Sequence, residues 1–361
     1  MGKRNTALDG LRFVAVLLVV SSHCQILKQG GLGNAIFFAL SGFLAIRPFA
    51  QNSSDDFKGI KRILRYYLSR IIRIVPVFWI CIIGVFLLNT LPYFDINDTE
   101  SFQSLILNMF FIKSQGHLWF LQQEMFFYFV FPFLSLILVA MNTLLDRIIK
   151  NRPVSLLIIS AFLMICSLLC EQFLTKDVFF LYGNGDKMSF RLGQFMVGIS
   201  AGYIYCAFKA SSLKVNRASK ITASMYGLIF LAFCIVSAEP IASGFIPEMK
   251  GVFVGWSHPI LCSTFSSLFI LSVTICDDSF TAKLMGNRLF SYLGSISFII
   301  YLTHWYLLSP FKQDDPVKHF ILVFLISASL ASALHTLVEK PSIIFSKRYK
   351  PDEVLEYYKK L

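Results

Sequence analysis

The residues with chemistry to offer begin in the first apolar run, LDGLRFVAVLLVVSSH, which carries Asp9, Arg12 and His23. An imidazole titrates near neutral pH and can take a proton from a hydroxyl, while a guanidinium fork suits phosphate or carboxylate. On a helix the spacing leaves Arg12 and His23 about 20° apart around the axis and roughly 16 Å apart along it. Asp9 falls about 40° from His23. All three share one face, a polar stripe through an apolar segment. Two readings stand: a polar path, or an Asp9–Arg12 pair at an interface with Arg12 snorkelling and His23 as a hydrogen-bonded packing histidine.

A second run, GHLWFLQQEMFFYFVFP, holds His117, Trp119 and Glu124, and the helical period puts His117 and Glu124 about 20° apart. A carboxylate inside a membrane span marks a functional site by default, since burying it costs several kcal/mol unless it is paired or wet. A structural hydrogen bond to Tyr128, four residues on, is the other reading. SISFIIYLTHWYLL places His304 near the outer end of another span, beside the belt aromatics Trp305 and Tyr306. In KGIKRILRYYLSRIIRIVPVFW, Arg62–Arg65 and Arg70–Arg73 are i,i+3 pairs that double their guanidinium groups, a pattern suited to phosphate. Anchoring on anionic lipid accounts for Lys58 to Arg65 but less well for Arg70 and Arg73, which stand where the apolar run begins. His335 and Glu339, four apart, read as a local pair with gating as the other role.

These side chains need an apolar frame, and the composition supplies one. Of 361 residues, 56% are hydrophobic and 15% charged, against about 25% charged in ordinary soluble domains. That excludes soluble, disordered, collagen-like and disulfide-framework classes. Runs close to the ~20 residues needed to cross a bilayer recur along the chain. Seven are clear: 74–94, 125–145, 154–170, 221–238, 259–276, 289–311 and 320–338. Three more, 6–27, 33–46 and 192–208, are interrupted by polar residues. The fold class expected is therefore all-α, a polytopic transmembrane bundle of about ten spans. Residues 101–111 are too short to span. Lys and Arg concentrate in alternate connections, from Lys58 to Arg73 above all, while Asp95, Asp98 and Glu100 lie on the other side, so both termini are expected in the cytoplasm.

The net charge of +12 then follows from topology and attraction to anionic lipid, with no nucleic acid needed. The eight cysteines show no CxxC pair and read as packing thiols, and no metal site is expected. The first span reads as retained rather than cleaved. One transmembrane domain is expected over 1–341, with a short basic tail at 342–361.

Taken in order, LDGLR…H, FFALSGFL, SRIIRIVPVFW, HLWFLQQEMFFYFVFP, SISFIIYLTHW and VEKP resemble the acyltransferase-3 family of integral-membrane acyltransferases, from about Leu8 to Pro341. The resemblance implies ten helices in a bacterial cytoplasmic membrane. It also implies transfer of an acyl group, commonly acetyl, from cytoplasmic acyl-CoA to an extracytoplasmic carbohydrate. The family's Arg-x10-His pattern falls on Arg12 and His23, its Arg-x-x-Arg on Arg70 and Arg73, and its fourth-helix Trp and Glu on Trp119 and Glu124. Two departures stand out. The tyrosine after the serine of the ninth-span motif is Phe298 here, and the chain stops soon after the tenth span. Some members carry an extracytoplasmic esterase-like domain there, so any relay to one is expected to need a separate protein partner.

The chemistry expected assigns the donor's phosphates to Arg70, Arg73 and Arg12, and general base catalysis to His23. Glu124 is expected to orient the His23 imidazole. Trp119, His117 and His304 are the candidates for contact with the acceptor, and Ser41 with the amides near Gly42 for the thioester oxyanion. The rival from another class is a secondary transporter exporting a glycan precursor. No two halves show matching broken helices, the usual pointer to one.

Overall fold

The computed structural model describes residues 5–51, 60–91, 101–114, 116–174, 180–183, 186–189, 191–246, 248, 250–251 and 254–348. Asn5 opens α1 (Thr6–His23) by accepting from the Ala7 amide, and Asp9 in the first turn suits the positive helix end. Next come α2 (Gly30–Gln51) and α3 (Ile60–Asn89), the latter carrying Pro76. A short α4 (Phe102–Met109) precedes a turn of 3₁₀ helix at Gly116–Leu118 and the long α5 (Trp119–Ile149). Then follow α6 (Arg152–Leu174), α7 (Leu192–Ala210), α8 (Arg217–Val236) and α9 (Glu239–Phe245). The chain continues through α10 (Val254–Ser257), α11 (Pro259–Ile275), α12 (Phe280–Met285), α13 (Arg288–Ser295) and α14 (Ser297–Leu307). Last come α15 (Pro316–Leu334), a π-helical turn at His335–Glu339, and α16 (Lys340–Arg348).

Among the described residues six helices are long and apolar enough to cross a membrane, and α2 (as Gly30–Ile46) and α11 are shorter apolar helices. A helix underlies each of the apolar runs named above, but boundaries differ. The first ends at His23 rather than 27. The run at 289–311 is not one helix: it breaks at Ile296 into α13 and α14. Just before the break, the Gly294 backbone presses on the Asp9 carbonyl so closely that any Cβ would collide with it. α13 is thereby held against α1. One small sheet also departs from an all-α reading. Strand β1 (Lys113–Ser114) pairs in parallel with β2 (Phe180–Gly183), which pairs antiparallel with β3 (Asp186–Ser189).

The core is built around α2, which packs on α1, α7 and α11. Gly198 lets α7 approach until its backbone meets the Ala39 carbonyl of α2, the small-residue packing of apolar bundles. Aromatics fill the adjoining layer: Phe127 stacks on Phe195 at 4.0 Å and Phe38 on Phe120 at 4.7 Å between centroids. All eight cysteines are free. α8 and α15 turn much of their apolar surface outward, as in Ile229, Ile235, Ile321 and Leu325, which suits hydrocarbon rather than water. Lys58, the acidic stretch at 95–100 and the tail beyond 348 lie outside the described residues, as do the side chains of Arg62 and Arg65.

Candidate active site

Four elements converge on one cavity. Arg12 of α1, Ser41 of α2, Arg70 and Arg73 of α3, and Glu124 and Tyr128 of α5 line it, with the α13–α14 break opposite. The spacing that predicted a polar face on α1 is thus realised at its Arg12 end. Arg12 Nη1 pairs with Asp9 Oδ1 at 2.6 Å, and Asp9 is buried. The pair and the cavity are therefore both real, and the two readings of Arg12 coexist.

Arg73 Nε lies 3.4 Å from Glu339 Oε1, whose other oxygen lies 2.7 Å from His335 Nδ1. The buried Glu339 thus ties α3 to the π-turn, a geometry found often at functional sites. Arg70 differs from its two neighbours. Its guanidinium sits over the rings of Tyr128, at 4.9 Å, and Tyr66, at 5.5 Å, and its buried Nε has no hydrogen-bond partner. Among the described residues no carboxylate stands within ion-pairing distance of it. Glu124, across the same cavity, attracts it only at longer range, so a partly desolvated cation without a contact ion pair faces the cavity and can take an anion that arrives from outside.

Glu124 faces the same cavity. Its Oε1 accepts from Ser41 Oγ at 2.8 Å and from Tyr128 Oη at 2.5 Å. The structural hydrogen bond to Tyr128 exists, but it belongs to a polar cluster rather than standing alone. Two hydroxyls held on one carboxylate are positioned to stabilise charge or give up a proton. The first turn of α14, which has no side-chain cap, borders the cavity through Ser297 and Phe298, beside Ser295.

The histidines gather elsewhere. His23, at the C-terminal end of α1, lines a second cavity with Gln25, Ser309, Lys312, Asp314 and His319. Its ring lies 5.3 Å from that of His304 and meets Trp305 edge-on at 4.9 Å. His117 stands 5.5 Å from His304 and stacks on Trp305 at 5.5 Å. His117 and His304 are both buried. Tyr301 joins the two regions: its ring borders the arginine cavity, and its hydroxyl donates to the His117 carbonyl at 2.7 Å.

This arrangement corrects two expectations. Glu124 does not orient His23, because its carboxylate is engaged by Ser41 and Tyr128, and no hydrogen bond joins the two residues. His117 does not share a helical face with Glu124, because it lies in the 3₁₀ turn before α5 and turns toward α14 instead. Trp119 borders neither cavity; its ring packs 5.3 Å from Trp256, which Arg191 covers at 5.6 Å. Ser41 does border the arginine cavity.

Arg12, Arg70, Arg73, Ser41 and Glu124 thus come from separate helices to line one cavity, while His23 and Trp119 lie outside it. The sequence profile described as "Acyltransferase domain" matches residues 5–338. The chain belongs to the acyltransferase-3 family. Its relatives include O-acetyltransferase OatA of Staphylococcus aureus, 25% identical over 362 residues, covering 92% of this chain and 56% of that protein. Another is "Putative peptidoglycan O-acetyltransferase YrhL" of Bacillus subtilis, 27% identical over 92% of this chain and 54% of that protein. The chain spans little more than half the length of these relatives. No solved structure matches it.

Within this acyltransferase-3 chain, sequence reasoning passed over Tyr66, Tyr301, Ser295 and Ser297, and left Tyr128 as a local partner only. The signal for the serines was the Gly-Ser-Ile-Ser step inside an apolar run, a helix-breaking pattern. Nothing local marked the tyrosines, which gain meaning only from the rings and charges that tertiary packing brings to them.

Proposed function

We propose that this chain is a multi-pass membrane acyltransferase that moves an acyl group, acetyl first among candidates, from cytoplasmic acyl-CoA to a hydroxyl of an extracytoplasmic envelope glycan. The observation that carries the reading is Arg70, a desolvated guanidinium without a carboxylate partner among the described residues, facing a cavity that Arg12, Arg73 and Glu124 also line. In the proposed ten-span orientation both termini are cytoplasmic, so α3 enters from the cytoplasm and the arginine cavity lies toward the donor. The S. aureus and B. subtilis relatives are named as O-acetyltransferases, one of them for peptidoglycan, which supports a cell-wall glycan as acceptor.

The chain's own groups then divide the work. Arg70, Arg73 and Arg12 hold the donor's phosphates by charge-assisted hydrogen bonds. Ser41 and the uncapped start of α14 border the donor end of the path. His23, opening on the second cavity, accepts the proton of the acceptor hydroxyl. The C–O bond forms as the C–S bond breaks, and the proton ends on the departing thiolate. Tyr301, His304 and His117 fill the span between the cavities, along which the thioester arm must reach. Anionic lipid contacts belong to the basic start of α3.

The test uses protein in liposomes with radiolabelled acetyl-CoA and a glycan acceptor, comparing His23→Ala with the parent. Label passing to glycan and lost in the variant supports the reading. Acceptor crossing the bilayer with no acyl exchange would make the chain a transporter instead.

A further inference from the structure

A general base needs a partner that fixes which of its nitrogens carries the hydrogen, and the carboxylate expected to serve His23 is engaged elsewhere. The histidine cluster contains the replacement. His304 Nδ1 lies 2.6 Å from the Tyr301 carbonyl. A carbonyl only accepts, so Nδ1 carries the hydrogen and Nε2 of the neutral ring holds a bare lone pair. That Nε2 is buried and has no partner. By the same logic His117 Nε2, 3.1 Å from the Leu302 carbonyl, carries its hydrogen, and the buried His117 Nδ1 is a second unpartnered acceptor.

Two lone pairs cannot bond each other. The cluster therefore holds two acceptors, and His23 is the imidazole in ring contact with His304 whose hydrogens are not committed to a backbone carbonyl. The two ring centroids lie 5.3 Å apart at an interplanar angle of 48°, close enough for the rings to touch, with no hydrogen bond yet made to His304 Nε2. A turn of the His23 ring would bring its N–H toward that nitrogen, in the way catalytic hydrogen bonds commonly tighten once substrate binds.

We propose that His304 is the positioning residue of His23: its Nε2 accepts the His23 N–H and so leaves the other His23 nitrogen, facing the second cavity, as the base. The proposal rests on His23 acting as the base in the reading above. His304 keeps its own hydrogen on Tyr301 throughout, and the only proton that moves is the acceptor's. His117 stacks on Trp305, which in turn meets the His23 ring edge-on. The titratable and charged groups around His23 are His117 and His304 within the bundle, and Cys24, Lys312, Asp314 and His319 at the cavity.

The experiment compares His304→Gln, whose side-chain oxygen can accept near the Nε2 position, with His304→Leu, which cannot. Acetyl transfer, its pH profile and the ¹⁵N ring shifts of His23 are read in reconstituted protein. We expect His304→Leu to lower kcat by about 30–100-fold at unchanged donor KM and to move the pH midpoint of kcat, and His304→Gln to restore most of the rate. The His23 ring shifts should report one dominant tautomer in the parent and a mixture in His304→Leu. Equal losses in both variants with an unmoved pH profile, or an unchanged His23 tautomer in His304→Leu, would overturn the proposal. A tautomer that responds to His304 while His23→Ala still transfers acetyl would leave the pair standing and remove His23 from catalysis. Should His304→Leu not fold, the parent's tautomer and the His304→Gln profile decide the matter.

Discussion

Removing Arg70 and removing Arg73 should do different things, because only one of them has a carboxylate to abandon. Arg73→Ala leaves Glu339, which is 2% exposed at its side chain, with His335 as its one remaining partner among the described residues. Losing one member of a fully buried pair costs about 3–5 kcal/mol, and of an exposed pair about 0–1. Since the Arg73 side chain is 41% exposed, a stability loss of about 1–3 kcal/mol is the expected compromise. Arg70→Ala breaks no contact ion pair among the described residues and relieves a desolvated charge, offset by the loss of its longer-range attraction to Glu124, so its stability should change little. Its cost falls on the ligand instead. A charge-assisted hydrogen bond contributes about 1.5–3 kcal/mol, so donor affinity should fall about 10–150-fold. The assay is acyl-CoA binding by calorimetry together with thermal unfolding, both in detergent, for the two variants and the parent. Arg70→Ala binding acyl-CoA as tightly as the parent, or melting as low as Arg73→Ala, would refute the reasoning that Arg70 is held in wait for an anion.

Glu124→Gln keeps the shape but exchanges a carboxylate for an amide before Ser41 and Tyr128, and acetyl transfer should fall at least 100-fold with donor binding retained, measured by single-turnover kinetics. Gly294→Val should lower the melting temperature by several degrees or prevent folding, because its side chain would have to displace the Asp9 backbone; a parent-like melting curve would show α13 to be loosely held. Asp278, outside the spans, bonds Lys220 at 2.5 Å, and that hydrogen bond holds its carboxyl below the ordinary range. Its contribution is therefore present above the usual carboxylate pKa and lost as pH falls through the lowered folded value. Asp278→Asn should remove that part of the acid sensitivity, read from melting temperature against pH.

Much of the scaffold and half of the site were legible in the chain. Arg12, His23 and Glu124 announced themselves because ionisable groups inside apolar runs are costly and so rarely accidental. Hydrophobic run length located the helices for the same reason. The break at Ile296 was hidden because hydropathy continues across it, and the neighbouring contact of Gly294 with Asp9 joins remote segments. The small sheet was hidden in polar connections with no length to signal it. Partners were least legible of all. Periodicity places residues on a face but not against another helix, so Glu124 was matched to His23 when Ser41, remote in sequence, had the nearer claim. The three histidines come from three elements, and only their packing reveals that two of them lack a hydrogen to share.

The most direct test of transfer across the bilayer is a sided one. Protein is inserted in sealed vesicles with its arginine cavity outward, labelled acetyl-CoA is added outside, and glycan acceptor is sealed within. The account predicts acetylated glycan inside the vesicles while CoA stays outside, and none when donor and acceptor are both confined to the outer compartment. Acetylation with both substrates on that one side, or CoA appearing in the lumen, would contradict it.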